Sequence, residues 1–248
     1  MSSTPVTGGG RRVGRPRATQ RSDSGLSARD ELLAAAAELF TTRGYAATTT
    51  RAVAERAGMR QATMYHYVAG KEDLLAALLE STVTPSLTLA GELLADGGRP
   101  AEDRLWELCR ADVALLCGGP YNLGALYVLP EVRAERFADF HRVRGELRAA
   151  YGRLLAATGA GAAMAGDEAA LRTDLVFGLI EGVILVHLSC PERPAEAFAA
   201  ATADAALRIV GVTRTAGGEG ATGDTGTAGA AGAAGASGAA GASGAPPT

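Results

Sequence analysis

Residues 48–71 read TTTRAVAERAGMRQATMYHYVAGK, and this stretch decides the fold of the N-terminal part of the chain. Ala54 and Gly58 lie four residues apart, and Met64 follows six residues later. Alanine at 54 allows two helices to approach closely, and glycine at 58 allows a turn with positive φ. The pattern predicts a helix-turn-helix whose inner side is formed by Val53, Ala57, Met64 and Val68.

The outer side of the last helix in this stretch carries short or planar polar groups, where an ordinary solvated face would carry Glu and Lys. Such groups suit base edges and phosphates. No acid occurs between Glu55 and Glu72, and a phosphate-facing surface requires such a gap. The stretch therefore predicts nucleic-acid contact through Gln61, Ala62, Thr63, His66 and Tyr67.

The charge distribution favours the same partner. The 248 residues carry a formal net charge of −3. Residues 1–80 hold 11 Lys+Arg and 8 Asp+Glu, a balance of +3, whereas residues 81–248 hold 13 and 19, a balance of −6. A basic front on an acidic body indicates that one end meets a polyanion.

Composition and motifs argue against several other classes. The longest apolar stretch, Val176–Leu188, is interrupted by Glu181 and is shorter than the ~18 residues of a membrane span. The Arg-rich leader is unlike a signal peptide, and three scattered cysteines make no disulfide framework, so we expect a cytoplasmic protein without a membrane partner. The histidines lack metal-ligand spacing and no nucleotide or nucleophile motif occurs, so we expect no metal, cofactor or catalytic residue.

Helical periodicity fills the remaining chain, and strand alternation is lacking. We expect an all-α fold of about nine helices, with Pro85 kinking or ending the fourth. Residues 1–26 form a basic arm and residues 211–248 a Gly/Ala-rich tail, both predicted to be disordered. Between them we place a DNA-reading domain at 27–72 and a helical domain at 73–210. The predicted helices are 27–44, 51–57, 61–68, one from 71, 100–117, 120–129, 133–157, 167–189 and 194–210.

The run from Leu32 to Leu79 resembles the DNA-binding domain of the tetracycline-repressor (TetR) family over about 50 of the 248 residues. Arg60 and Gly70 depart from the family pattern, where Ser or Asn often caps the third and fourth helices. The positions that carry the resemblance agree in order and spacing: Ala36, Leu39, Phe40, Gly44, Tyr45, Thr48 to Thr50, Val53, Ala54, Ala57, Gly58, Thr63, Met64, Tyr65, Lys71, Glu72, Leu74 and Leu75.

The resemblance implies a homodimer that binds double-stranded DNA at a near-palindromic operator. It adds Thr50, Arg51 and Tyr65 to the candidate DNA contacts, with Lys71 on a phosphate. Arg51 is the best base-reading candidate, because its fork can bond O6 and N7 of guanine together. The alternatives are a core position for Tyr65, a solvated His66, and a purely capping role for Thr48–Thr50.

The leader offers a second candidate contact. Gly14-Arg15-Pro16-Arg17 resembles the core of an AT-hook, whose arginines enter the narrow minor groove of A·T-rich DNA. Arg15 and Arg17 are therefore candidate DNA contacts, and a solubilising basic tail is the alternative.

The last two predicted helices carry apolar and small residues on one face each. By resemblance they form a four-helix bundle across a twofold axis, and ordinary intrachain packing is the alternative. The candidate interface consists of Leu171, Leu175, Gly178, Gly182, Leu185, Phe198, Thr202, Ala205 and Ile209.

A ligand pocket is expected among helices four to eight, although every candidate residue is an equally good core residue. Glu181 is the better clue, because a carboxylate in an apolar helix must meet a cationic or hydroxylated ligand, or an arginine of the fold. Composition favours a lipophilic effector. The candidates are Trp106, Cys109, Tyr121, Tyr127, Phe137, Phe140, His141, Phe177 and Glu181.

The sequence thus predicts a dimeric DNA-binding repressor that a small molecule releases from its operator. One alternative is the same DNA-binding protein without an effector, or acting as an activator. A more distant alternative is a helical enzyme with an incidental helix-turn-helix.

Overall fold

The computed structural model describes residues 25–212, so Arg15, Arg17, the basic arm up to residue 24 and the tail from residue 213 lie outside the described residues. Residues 25–212 form nine α-helices and three 3₁₀-helices, with no strand, and the all-α prediction is confirmed. The α-helices are α1 Ala28–Thr42, α2 Thr50–Arg56, α3 Gln61–Met64, α4 Lys71–Ala95, α5 Ala101–Cys117, α6 Ala138–Ala157, α7 Gly159–Ala162, α8 Gly166–Ser189 and α9 Ala195–Val210. The 3₁₀-helices are Leu123–Val128, Pro130–Arg133 and Glu135–Phe137.

Local capping explains where the first helices begin and end. The Ser27 hydroxyl oxygen accepts from the Asp30 amide at 3.2 Å at the start of α1. The Thr49 hydroxyl oxygen accepts from the Ala52 amide at 3.1 Å at the start of α2. Gly58, with φ of +70°, makes the turn between α2 and α3. Neither α3 nor α4 has a side-chain cap at its N-terminus, as their departures from the family pattern led us to expect.

Pro85 was predicted to kink or to end the fourth helix, and the second of these alternatives is wrong. Helix α4 continues through Pro85 to Ala95. Proline removes the hydrogen bond that its nitrogen would give to the Ser81 carbonyl. Both residues are exposed, so water can reach that carbonyl. The buried residues before and after the proline hold the helix together by packing.

Other helix bounds also differ from prediction, among them those of the predicted helix 133–157, which begins as an α-helix only at Ala138. Helix α3 ends at Met64, and residues 65–67 continue as a turn in which the His66 and Tyr67 amides donate to the carbonyls three residues back. The predicted helix 120–129 is a 3₁₀-helix that starts after Asn122, whose side chain accepts from the Ala125 amide. Ile184 lies so close to Gly124 that a Cβ there would be 2.4 Å from it, which ties this segment to α8. Residues 159–162, predicted as a break, form the short helix α7.

Two hydrophobic clusters form the core, and α4 contributes to both. The N-terminal cluster combines α1–α3 with the first half of α4 and with four residues from the following helices: Leu126, Val132, Phe137 and Phe140. The C-terminal cluster combines the second half of α4 with α5, α6, α8 and α9. The domain division at residues 72 and 73 stays a prediction, since α4 runs across it.

Within residues 25–212, α4 is the one helix long and apolar enough to cross a membrane by length and composition alone. Nine of its 25 residues are buried inside the fold. Its apolar side is therefore occupied by packing within the chain.

Gly58→Ala tests the turn. We expect it to lower the free energy of unfolding by about 1–2 kcal/mol, because an L-residue at positive φ is strained. Gly91→Ala is the control: Gly91 lies inside α4 with open space around it, so alanine should be neutral or stabilise by up to about 1 kcal/mol. Urea unfolding measures both variants, and equal effects would contradict the assigned backbone.

Candidate functional site

The three threonines before and in α2 have three different roles. The Thr48 side chain is buried, and its hydroxyl donates to the Leu39 and Gly44 carbonyls at 3.2 and 2.8 Å. Thr49 caps α2. Thr50 is the first residue of α2, and its side chain is directed towards Gln61 and Tyr65. The capping alternative therefore holds for Thr49, and Thr50 remains a candidate DNA contact.

A hydrogen-bonded group joins α2 to α3 at the predicted DNA-reading side. Gln61 Nε2 donates to Thr50 Oγ1 at 2.9 Å and to the Tyr65 hydroxyl at 3.3 Å. The Thr50 and Tyr65 hydroxyl oxygens lie 3.4 Å apart. Tyr65 is half exposed, so it is a surface residue and not a core aromatic. The three side chains fix one another, which lowers the entropy cost of presenting them to a ligand.

The surface around this group is polar and accessible. Ala62, Thr63 and His66 are exposed, and Tyr67 is about half exposed. Met64 and Val68 are buried beneath them. The sequence correctly assigned these inner and outer sides, because the spacing of the apolar residues fixes the helix orientation.

Arg51 is exposed on α2, and its Nε donates to the Glu55 carboxylate at 2.8 Å. An exposed i,i+4 pair contributes only about 0.3–0.5 kcal/mol, so a nucleic acid can displace Glu55 at little cost. Lys71 is more constrained: its Nζ donates to the Tyr45 carbonyl at 2.9 Å and lies 4.2 Å from the centre of the Tyr45 ring. These contacts hold the ammonium group at the start of α4.

Sequence reasoning treated Arg60 only as a missing cap. In the structure Arg60 is exposed at the start of α3, beside the recognition residues. Its charge makes it a further candidate phosphate contact. The absence of acids between Glu55 and Glu72 could have indicated from the sequence that Arg60 belongs to the candidate DNA contacts.

Sequence reasoning also missed a polar contact that joins the helix-turn-helix to the rest of the chain. Glu38 on α1 accepts from Arg56 Nε at 3.0 Å and from the Tyr121 hydroxyl at 3.1 Å. The bond from Arg56 lowers the pKa of Glu38. Tyr121, predicted to line a pocket, therefore lies at the junction between α1, the end of α2 and the 3₁₀ segment. Asn122 then donates to the Ile184 carbonyl of α8 at 3.0 Å.

Helix α8 presents an exposed apolar face. Leu171, Leu175 and Leu185 are 59%, 52% and 60% exposed. A Cβ added at Gly178 or Gly182 would meet nothing within 4 Å. The predicted face of α8 is therefore open and smooth enough for another helix to approach closely.

The predicted residues of α9 are less accessible. Thr202 is buried, and its hydroxyl donates to the Phe198 carbonyl at 2.8 Å, so its side chain serves its own helix. Phe198 and Ile209 are partly buried against the C-terminal cluster. Ala205 is likewise half-buried. Of the four predicted residues of α9, only Phe198, Ala205 and Ile209 can therefore contribute side-chain surface to a partner.

The predicted pocket residues do not form one group. Phe137 and Phe140 lie in the N-terminal cluster, whereas Cys109 and Phe177 lie in the C-terminal cluster. Trp106 donates from Nε1 to Asp204 at 2.7 Å and joins α5 to α9. His141 is exposed, and its Nε2 lies 2.8 Å from the Val132 carbonyl.

Tyr127 and Glu181 make polar contacts within residues 73–210, the part of the chain predicted to be regulatory and here called the regulatory half. Tyr127 packs against both clusters, and its hydroxyl is hydrogen-bonded to Thr82. Glu181 forms a bidentate ion pair with Arg144, so the fold itself supplies the arginine partner. A buried polar residue that sequence reasoning missed is Asp112, which has 3% of its surface exposed.

Asp112 accepts from the Ser86 hydroxyl at 2.8 Å and from the Tyr151 hydroxyl at 2.9 Å. Burial raises its pKa to about 6 from an ordinary 3.8, although both hydrogen bonds act in the opposite direction. No pattern in the sequence distinguished Asp112 from the other acids of an amphipathic helix. Within residues 25–212 no group of three or more His, Cys, Asp or Glu could hold a metal ion.

Comparisons with known proteins agree with this architecture. A family model described as bacterial regulatory proteins of the tetR family matches residues 32–78. The crystal structure of AmtR from Mycobacterium smegmatis superposes with a TM-score of 0.70 and 45% sequence identity, over 79% of this chain and 92% of that one. The chain belongs to the TetR family.

Two further proteins are similar to part of the chain or share its fold. The HTH-type transcriptional repressor KstR2 of Mycobacterium tuberculosis is 45% identical over 53 residues, 21% of this chain and 26% of that protein. The chain thus matches about a quarter of the length of KstR2. A tetR-family regulatory protein from Rhodococcus RHA1 shares the fold, with a TM-score of 0.64 and 24% identity over 75% of this chain and 97% of that one.

Membership identifies the chain as a DNA-binding regulatory protein. The family model describes regulatory proteins and KstR2 is a transcriptional repressor, so the alternative of a helical enzyme receives no support from these matches. The helix-turn-helix is the part of the chain where the family model and the polar surface around Gln61 coincide.

Asp112→Asn tests the electrostatics of the buried group. Because the folded pKa lies above the unfolded one, Asp112 does not lower stability while it is protonated at low pH. Stability is lost as pH rises from the ordinary pKa of 3.8 to the folded pKa of about 6. The full loss is about 3 kcal/mol at pH 8. We expect the free energy of unfolding of Asp112→Asn, relative to wild type, to increase by roughly 1–2 kcal/mol between pH 5 and pH 8. Denaturant unfolding at both pH values measures it, with exposed Asp139→Asn as the control, and an unchanged difference would contradict the burial effect.

Proposed function

We propose that the chain is a dimeric transcriptional repressor that binds a near-palindromic operator and is released by a small-molecule effector. The observation that carries the DNA-binding part is the exposed recognition surface, defined as Thr50, Arg51, Gln61, Ala62, Thr63, Tyr65, His66 and Tyr67. A DNA-binding role places the protein in the cytoplasm, with the bacterial chromosome.

The recognition surface supports base reading in the major groove. The hydrogen bond between Gln61 and Thr50 holds the centre of this surface in place before DNA binds. Arg51 beside it can give up its ion pair with Glu55 and donate to a guanine instead. Lys71 and Arg60 flank it as phosphate contacts. In this proposal Arg15 and Arg17 of the N-terminal arm add minor-groove contacts.

The open face of α8 supports the homodimer. Three leucines with half or more of their surface exposed, two before and one after a pair of glycines, form a helix face of the kind that another helix covers. Two copies related by a twofold axis bring the same face of each chain together. Phe198, Ala205 and Ile209 of α9 border this interface.

An effector site in the regulatory half supports release from DNA. The 3₁₀ segment 123–128 packs against both clusters and follows Tyr121, which bonds to Glu38 beneath the recognition helices. A ligand that moves this segment therefore changes contacts on which the position of α2 depends. The effector has a lipophilic body in this proposal, since the surrounding residues are largely apolar.

DNA selection from a random pool, followed by gel shift, tests the recognition surface. We expect Arg51→Ala to weaken operator binding about tenfold or more and to relax the preference at one base pair, because a base contact is lost. Tyr67→Ala should also weaken binding. Arg142→Ala on α6 is the matched control, since Arg142 is likewise exposed and forms an i,i+4 pair, with Glu146. Equal losses in all three variants, or selection of no sequence, would contradict the proposed surface.

Leu175→Glu tests the dimer. A charge on the open face of α8 should produce monomers in sedimentation velocity and reduce operator affinity, because two half-sites are no longer bound together. Val128→Glu is the control: Val128 is 72% exposed but belongs to the 3₁₀ segment and not to the predicted interface. A monomeric wild type, or a dimeric Leu175→Glu, would contradict the assigned interface.

A further inference from the structure

An open groove lies on the surface between α1 and α4. It has a volume of about 700 Å³ and is here called the α1–α4 groove. Helix α1 contributes Arg29 and Leu33 to its wall, and α4 contributes one side of the helix between Ala77 and Glu92. At the α-helical rise per residue this part of α4 is ~22 Å long, so the groove is long enough to hold an extended segment of chain.

The groove offers apolar surface at both ends of its length. Leu33 is half-buried against the N-terminal cluster, and Leu89 is half-buried against the C-terminal cluster. Both leucines line the groove, and Ala77 and Pro85 add to its apolar surface. Covering such surface is favourable, because it removes apolar area from water.

The groove also carries a surplus of negative charge and of hydrogen-bond acceptors. The exposed carboxylates of Glu80 and Glu92 line it, and within residues 25–212 neither of them forms an ion pair. Pro85 has no N–H, so the Ser81 carbonyl lacks the helix donor that another residue would supply. Arg29 is the one basic residue of the lining. This combination suits further guanidinium groups, which have five N–H donors and no acceptor.

The basic arm joins the chain beside this groove. The described residues begin at Gly25, four residues before Arg29 in the groove wall. Residues 1–24 contain five arginines and one aspartate. The ten residues from Arg15 to Ser24 reach about 33–36 Å when extended, so the arm can follow the groove along its whole length.

We propose that the α1–α4 groove is the docking site of the chain's own basic arm in the DNA-free protein. Arginines of the arm pair with Glu80 and Glu92 and donate to the Ser81 carbonyl, while their aliphatic stems cover the leucines of the groove. Each exposed ion pair contributes little by itself. The covalent connection at Gly25 keeps the arm at a local concentration in the millimolar range, so weak contacts are sufficient.

A docked arm changes what DNA binding requires. Arg15 and Arg17 cannot lie in the α1–α4 groove and in a DNA minor groove at the same time. DNA must therefore displace the arm from the α1–α4 groove, which weakens binding to every DNA sequence without altering the recognition surface. This effect rests on the DNA-binding function proposed above, whereas the docking rests on the groove and the arm alone.

Zero-length cross-linking of the full chain tests the docking. Arg17→Lys and Arg21→Lys keep the charges of the arm and supply amines, which a carbodiimide joins to carboxylates in contact with them. We expect mass spectrometry to locate most links from the arm at Glu80 and Glu92. An arm that moves freely would link more often to Asp30, an exposed acid of α1 that is closer along the chain.

Two pairs of substitutions separate the groove from general electrostatics. Glu80→Gln with Glu92→Gln should lower the total yield of links severalfold. Asp139→Asn with Glu146→Gln removes two exposed carboxylates of α6 instead and should leave the yield unchanged. At ~1 M salt the links should be lost, because ionic interactions are screened over a few ångströms.

Three results of the cross-linking would overturn the docking to the chain's own groove. The first is a spread of links over the exposed acids, and the second is a yield that the groove substitutions do not change. The third is linkage between isotope-labelled and unlabelled chains in a mixture, which would assign the groove to the arm of a second copy.

Operator affinity at low salt tests the effect on DNA separately. Glu80→Gln with Glu92→Gln should bind the selected DNA severalfold more tightly than wild type, because the arm no longer has to leave the groove. The same pair should give no such gain in a chain whose five arm arginines are replaced by glutamine. Equal gains in both chains would overturn the competition with DNA and leave the docking standing. Cross-links at the groove in a protein that selects no DNA would support the docking and refute the proposed function.

Discussion

Helix α4 is buried at both ends against different partners, and this double packing is the constraint on which the structure depends. Leu74, Leu75 and Leu79 lie fully inside the N-terminal cluster, and Ala90 and Leu93 lie inside the C-terminal cluster. Replacing one buried leucine by alanine typically costs 2–5 kcal/mol, so neither end can leave its cluster without a large loss. A shift of the C-terminal half of α4 is therefore expected to displace Lys71, where the helix begins.

A second, smaller connection lies beside α4. The Glu38 carboxylate joins the end of α2 to Tyr121, and Asn122 joins the same segment to α8. The contacts are polar and part-exposed, so they resist movement less than the packing of α4 does. The combination of a stiff helix and a weaker polar connection suits a protein whose DNA-binding part must be held in place and also released.

Much of the fold and of the recognition surface could be predicted from the sequence, because both follow from local patterns. The spacing of Val53, Met64 and Val68 fixed the inner side of the helix-turn-helix, and Ser27 and Gly58 marked a cap and a turn. The family assignment is confirmed for the same reason, since the matched residues 32–78 contain this pattern.

The parts that could not be predicted depend on contacts between distant residues. Pro85 predicted a helix end, but the packing on both sides outweighed the lost hydrogen bond. The 3₁₀ segment has a helical composition, yet Gly124 against Ile184 and the Asn122 cap set its form. Asp112 resembles any acid of an amphipathic helix until Ser86 and Tyr151, 26 and 39 residues away, are brought to it.

The stoichiometry of the protein on its selected operator tests the central claim most directly, because it depends on the recognition surface and on the dimer face together. Sedimentation equilibrium of the full chain with a duplex that carries one near-palindromic site measures it. The account predicts two chains per duplex, with one chain or none on a duplex in which half of the palindrome is scrambled. A saturable complex with one chain on the intact site, or equal binding to the scrambled duplex, would contradict it.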